Sequence, residues 1–261
     1  MAKIVNEIKA VWLRRDLIKY FVRADLKIIY KNKVIGFFWT ILDPLMLMVV
    51  YIILVVIVFK RGGPQFPVLL FSALLSWKWF TYSLEGSVTS ITRKASLIQS
   101  VYFPKAILPL SRVIIGLINY LFGLIALMPL LLLFEAKFTL NLLWLPILIF
   151  IQLIFTIGAA LFSAALGVYF RDLENIMEFG LRIWFYLSPA LYSVSGRIPQ
   201  RFISKYMLNP FAALFESYKN ILVRGLPPSE YVLVAAGLAL FIFISGFILF
   251  RIKESDFAKD V

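Results

Sequence analysis

The chain has 261 residues, 62% of them hydrophobic, a formal net charge of +13, and neither cysteine nor histidine; its mean hydropathy is +0.90. A soluble domain of this length is only about 45–50% apolar, so lipid is the main solvent of this protein, and one membrane domain is the natural reading because too little polar sequence remains for a second. Without cysteine there is no disulfide and no thiolate metal site, and without histidine Ser-His and Cys-His catalysis drop out.

Residues 4–31 read as an amphipathic helix. Leu13, Leu17, Tyr20, Phe21, Ala24 and Ile28 fall on one face at helical spacing. Arg15, Lys19, Arg23, Lys27 and Lys31 recur every fourth residue as a basic ridge. The regular apolar face favours a helix lying in the interface against lipid headgroups over a solvated basic tail. Lys3, Lys9 and Lys33 add to the basic density before the first apolar run, which puts the N-terminus in the cytoplasm. The charge is thus a topology signal rather than a nucleic-acid site. No signal peptide is evident, since the first apolar run starts only at residue 34.

Six apolar stretches follow, roughly 34–59, 66–90, 106–134, 142–169, 176–193 and 231–250, each close to the ~20 residues a bilayer crossing needs. No alternating ten-residue strands appear, which argues against a membrane barrel. The expected fold is an all-α integral membrane protein: six transmembrane helices, an N-terminal cytoplasmic amphipathic interface helix over 1–33, and short re-entrant helices on the outer side. With six spans the C-terminus is cytoplasmic too, in keeping with Arg251, Lys253 and Lys259.

Asp43-Pro44 sits near the middle of the first span, where proline predicts a kink near Thr40. Counting inward at about 1.5 Å per residue puts Asp43 level with Lys78 of the second span. An intramembrane carboxylate needs a partner or a polar path; Lys78 either pairs with Asp43, lines that path with it, or snorkels. The segment 92–105 carries a short helix halted before Pro104, either a docking element or a plain connector. Arg112 of the third span lies close enough to its end to snorkel. Ala159, Ser163 and Gly167 of the fourth span are four apart, a spacing that lets helices approach. Arg171-Asp172-Leu173-Glu174 makes a charged turn, and Glu178 and Arg182 are spaced for an i, i+4 pair.

The region 194–230 has its own structure. Asn209 is an N-cap with Pro210 at the first helical position, an apolar stripe runs from Phe211 to Leu222, and Gly225 with Pro227-Pro228 ends it. A shorter helix over 199–207 is expected before it. Trp39, Trp77, Trp79, Phe80, Tyr82, Tyr186 and Tyr192 mark the first, second and fifth spans as aromatic; such rings stack on sugar C–H faces, and rings that merely face lipid are the competing reading.

No G-x-x-x-x-G-K-[ST] phosphate loop and no carboxylate cluster at metal-ligand spacing occurs. No catalytic residue, no metal ligand and no cofactor is assigned to this chain.

The order of these features resembles the permeases of type-two ABC exporters that move O-antigen or teichoic-acid polysaccharide. Asp25, Leu26, Lys27, Tyr30, Gly36, Trp39 and Pro44 match that family's opening segment. LIQSVYFPKAILP (Leu97 to Pro109) is similar to its coupling element, Arg171-Asp172-Leu173 to its second cytoplasmic turn, and SPALYSVSGRIP with LNPFAALFESYKNILVRGLPP (Ser188 to Pro228) to its outer helices. The resemblance covers essentially the whole chain. It implies a six-helix permease domain over 34–261 that forms a homodimeric channel in the bacterial inner membrane. It also implies two cytoplasmic ATPase subunits, which hold the ATP and Mg that this chain lacks. They would dock on Arg93, Leu97, Ile98, Tyr102, Phe103 and Pro104, and on Arg171 and Asp172. The cargo it implies is an undecaprenyl-linked polysaccharide, passing Trp39, Asp43, Lys78 and the aromatic residues. An exporter of drugs or small lipids, and a membrane scaffold for glycan assembly, are the alternatives.

Overall fold

The computed structural model describes residues 14–30, 36–194 and 198–260; Lys3, Lys9, Leu13, Lys31 and Lys33 lie outside the described residues. Every regular element among them is helical. Helix α1 is Arg15–Tyr30. Helix α2, Trp39–Ile52, runs through Pro44 and continues as a wider π-helical turn, Ile53–Val58. Helix α3 is Phe66–Val88, and a 3-10 turn at Thr92–Lys94 leads into the short α4, Ala95–Ser100. Then come α5 (Ile107–Leu133), α6 (Leu145–Tyr169, after a 3-10 turn at Leu140–Trp144) and α7 (Leu173–Leu187). The chain ends with α8 (Gln200–Tyr206), α9 (Pro210–Lys219), α10 (Val232–Lys253) and α11 (Phe257–Asp260).

Among the described residues, Trp39–Val58, Ile107–Leu133, Leu140–Tyr169 and Val232–Lys253 are the four helical stretches long and apolar enough to cross a membrane. Their apolar side chains stay largely exposed, Val50, Ile57, Ile125, Leu132, Leu233 and Phe241 among them. In water such surfaces would be covered; in lipid they need no cover. Helix α3 is equally long at 23 residues, but carries the Trp77-Lys78-Trp79 segment and sits in the middle, packed by α2, α5, α6, α7 and α9. Helix α7 has 15 residues, about 22 Å of rise. It stops at Leu187, short of the expected 193, because Ser188 is extended and Pro189 follows.

Two crossings hold the bundle tightest. Helices α6 and α10 meet at Gly158 and Gly246, where a Cβ on Gly246 would lie 2.0 Å from the Gly158 carbonyl oxygen. Helices α3 and α6 meet at Gly167, whose added Cβ would be 2.1 Å from the Val88 carbonyl oxygen. Only glycine admits such backbone approach. Behind them Trp77, Phe80, Phe155, Trp184, Phe185 and Phe211 make one aromatic cluster joining α3, α6, α7 and α9. A polar link crosses the same core: Gln152 donates to the Ser76 carbonyl at 2.8 Å and accepts from the Tyr218 hydroxyl at 2.9 Å. All three residues are buried and the bonded atoms are paired between helices, so the link specifies register.

Candidate functional site

The first feature is a polar seam on α2, α3 and α7. Lys78 Nζ lies 2.7 Å from Asp43 Oδ2, and both side chains keep about two-fifths of their surface open (39% and 44%). Pairing makes two charges tolerable in an apolar helix pair, and the open surface requires something other than lipid tail beside them. Toward the other helix end, the hydroxyls of Tyr51 and Tyr186 meet at 3.3 Å. In the opposite direction Glu85 is exposed on α3, and Arg182 pairs with Glu178 at 2.8 Å on α7. Glu174, Glu178, Arg182 and Tyr186 follow at steps of four on α7, so they share one face. The seam therefore runs the length of α7 beside α3.

The second feature is the bundle end that carries α1 and α11. Helix α1 buries Phe21, Val22 and Asp25, while Tyr20 and Ile28 stand exposed. The buried face is rotated from the hydrophobic one expected, because Asp25 reaches Arg112 of α5 at 3.3 Å. Their side chains are 8% and 19% exposed, so Arg112 does not snorkel. The segment 92–105 is held from both sides. On one side Phe21 packs on Phe103, Lys94 lies over the Phe21 ring, and Arg14 donates to the Tyr102 carbonyl at 2.8 Å. On the other, the Lys105 amide donates to Glu254 Oε1 at 2.8 Å and Lys105 Nζ to the Glu254 carbonyl at 2.6 Å, while Phe257 is fully buried. Arg93 pairs with Glu174 at 3.2 Å, which joins this segment to the charged turn at Arg171 and Asp172. Ile98 and Phe103 point inward and Tyr102 is 91% exposed. One rigid ledge results, with a single aromatic side chain standing out from it.

The third feature is the opposite end. Asn209 caps α9 by accepting from the Phe211 amide at 3.1 Å, and it also accepts from Trp184 at 3.0 Å and donates to Ser188 at 2.9 Å. Helix α9 is not a surface cover: every residue from Phe211 to Lys219 is buried. Lys219 Nζ donates to the Pro189 carbonyl and, at 3.2 Å, to the Tyr192 carbonyl. Glu216 Oε1 is 3.9 Å away, and Glu216 Oε2 pairs with Arg224 at 2.8 Å. Burial pulls the Lys219 ammonium down from 10.5 to about 8, against the pull of Glu216 and helped by Arg224.

Of the residues singled out from sequence, Asp43, Lys78, Trp39 and Tyr186 have open surface on or beside the seam. Tyr82 is half-buried on the same helix as Lys78. Trp77, Trp79 and Phe80 are instead inside the core: Trp79 stacks on Tyr120 and donates to the Val113 carbonyl at 3.2 Å, and Phe80 is 0% exposed. Neighbouring helices cover them, so within this chain they face neither lipid nor an open path. Tyr192 belongs to the opposite end, bonded to Tyr206 at 2.8 Å. Arg93, Leu97, Pro104, Arg171 and Asp172 lie on the ledge at the α1 end, and Arg15, Lys19, Arg23 and Lys27 all face outward from α1; Lys31 lies outside the described residues. Sequence reading missed the Asp25–Arg112 pair, the Lys105–Glu254 clasp and the buried Lys219. For Lys219 a signal existed: Glu216 stands three residues before it in an apolar stripe. No metal-binding group of three or more Asp or Glu residues occurs among the described residues.

No family model matches the chain. Among curated proteins it is 30% identical to the O-antigen export system permease protein RfbA of Myxococcus xanthus over 260 residues, 99% of this chain and 100% of that protein. It is 31% identical over 245 residues to a Klebsiella pneumoniae protein of the same name, covering 94% of this chain and 92% of the relative. A second K. pneumoniae relative is 28% identical over 245 residues.

Proposed function

The chain belongs to the family of O-antigen export permeases and is a transmembrane subunit of an O-antigen ABC exporter, and from that premise we propose how its geometry serves export. Six helices cross the bacterial inner membrane: the four apolar ones, α3 sheathed among them, and α7, whose crossing is completed by residues 188–193. Both termini are cytoplasmic, which puts the basic ridge of α1 at the headgroups by the positive-inside rule. Helices α8 and α9 enter and return on the outer side.

Two copies form the channel and each binds a cytoplasmic ATPase subunit, which holds ATP and Mg; this chain performs no bond chemistry itself. The ATPase docks on the ledge made by 92–105 and 171–174. What carries this reading is the clasped ledge with Tyr102 standing free: a push on Tyr102 cannot be absorbed locally. It passes through Phe103 and Phe21 to α1, through Arg93 and Glu174 to α7, and through Lys105 and Glu254 to α10. The undecaprenyl-linked polysaccharide enters beside α1 and the start of α2. Its glycan passes the seam of Asp43, Lys78, Glu85, Arg182 and Tyr186, where exposed charges and hydroxyls offer hydrogen bonds in an otherwise apolar wall.

The test is co-purification in nanodiscs with the ATPase subunit of the same export system. A stable complex of equal stoichiometry is expected, with ATPase activity that depends on this chain. Tyr102→Ala should leave insertion intact and lower both complex yield and export. A chain that binds no ATPase, or a Tyr102→Ala variant with parental export, would overturn the reading.

A further inference from the structure

At the end of the bundle opposite α1 lies a cavity of about 870 Å3, within the ~300–1,000 Å3 that small-molecule sites occupy. Three connections wall it: the α2–α3 turn with Gly62, Gly63 and Gln65, the end of α5 with Phe134 and Glu135, and residues 190–193 after α7. Lys219 lies at its base. We propose that this cavity is a sugar-binding subsite at the outer end of the export path, taking a neutral, polyhydroxylated unit of the passing glycan; it rests on the exporter reading above and adds a site to it.

Three observations carry this. The first is the lining. Gln65 uses its amide nitrogen on the Phe134 carbonyl at 3.3 Å and keeps its oxygen as an acceptor. Ser193 adds a hydroxyl, Gly62 and Gly63 add bare backbone, and Phe134 and Tyr192 add ring surface. Hydrogen-bonding groups beside aromatic rings suit a ring with hydroxyls at its edge and C–H bonds on its face.

The second is charge. The Lys219 ammonium is already directed at the Pro189 and Tyr192 carbonyls and at Glu216. Two of its N–H groups are taken by those carbonyls and its charge is balanced by the Glu216 carboxylate 3.9 Å away, so little of that charge is left for an anion. Glu135 adds a carboxylate to the rim, and the neighbouring Lys60 and Arg61 do not line the cavity. A phosphate or an acidic unit finds no unpaired cation here.

The third is backbone strain. Among the described residues the non-glycine positions with left-handed φ are Lys60 (49°) and Glu135 (51°). Both lie in the turns that wall this cavity. Such conformations cost free energy and gather at ligand clamps.

The chain has no cysteine, so Ser193→Cys introduces its single thiol, inside the cavity, by a near-isosteric change. In spheroplasts carrying the full exporter, this thiol is reacted with a membrane-impermeant maleimide, with glycan synthesis running or disabled. Labelling should be several-fold slower while glycan passes, and Glu230→Cys, on an exposed site away from the cavity, should react equally in both. Equal rates at Ser193→Cys, or no reaction in either state, overturns the subsite. Gly63→Trp gives an independent readout. Gly63 lines the cavity and an added Cβ there meets nothing within 4 Å, so a bulky side chain is admitted at the cavity wall without a clash at its base. Export should fall several-fold with insertion and ATPase binding at parental levels; unchanged export overturns the proposal. If the parental chain itself fails to restore O-antigen export to a strain lacking it, the exporter reading has failed, and the subsite with it.

Discussion

Replacing Arg112 by methionine keeps the aliphatic stem, which packs beside Gly86, and removes the guanidinium from Asp25. The carboxylate is then left 8% exposed with no cation. Removing one partner of a buried ion pair costs about 3–5 kcal/mol. The 19% exposure of Arg112 and the 3.3 Å separation put this pair at the lower end, about 3 kcal/mol. Asp25→Leu leaves the opposite orphan, a guanidinium nearer the surface, at about 1–2 kcal/mol. The double variant Asp25→Leu/Arg112→Met has no orphan at all, and well-packed apolar replacements of buried pairs are close to neutral. It should return to within about 1 kcal/mol of the parent, a coupling of about 3 kcal/mol or more. The assay is equilibrium unfolding in mixed micelles for all four chains, with export measured alongside. Export should follow stability in the single variants, since α1 also holds Phe103 and the Tyr102 carbonyl. Single-variant losses that simply add in the double variant would refute the reasoning, because they would mean that the two charges do not depend on each other.

Gly246→Ala puts a methyl group where the Gly158 carbonyl oxygen now lies 2.0 Å from it; α10 must move off α6 by more than an ångström, and a thermal-unfolding loss of about 1–3 kcal/mol is expected. Gly237→Ala on the same helix meets nothing within 4 Å and should be neutral or gain about 0.5–1 kcal/mol. Lys219 binds its proton less tightly folded, at about 8, than its ordinary 10.5. The unfolded chain therefore holds more protons between those values, and stability must rise with pH across that window, by up to about 3 kcal/mol. Lys219→Met should lack this rise, so the Tm of the parent should climb relative to that of the variant from pH 8 to 10; parallel curves would refute the assignment.

What could be read from sequence was local chemistry and depth. The Asn209-Pro210 start of α9 and the Gly225 stop follow from the groups that a helix end leaves unpaired; both appear as expected, except that α9 passes at Lys219 into a π-helical turn, Asn220–Arg224, and it is this turn that Gly225 closes with φ 68°. The common depth of Asp43 and Lys78 followed from rise per residue, which left pairing, a shared polar path and snorkelling open; the 2.7 Å contact selects the pair. The Glu178–Arg182 pair followed from helix spacing.

What could not be read was which apolar surface meets protein and which meets lipid. In water the hydrophobic effect marks the inner face of a helix, so periodicity reveals it. In a bilayer both faces are apolar, and α10 is accordingly hydrophobic all round while burying only Ala235, Ala239, Gly246 and Phe250. Three of those four are small, so on this helix close approach rather than hydrophobicity marks the protein-facing side. The same loss of contrast hid Trp79 and Phe80 inside the core. It also explains α1, where hydrophobic periodicity nominated Tyr20 and Ile28 but the buried face is set by Asp25 seeking Arg112, 87 positions along the chain. Where lipid cancels the apolar signal, the polar residues decide the packing, and the seam, the ledge clasps and Lys219 are the places where they do so.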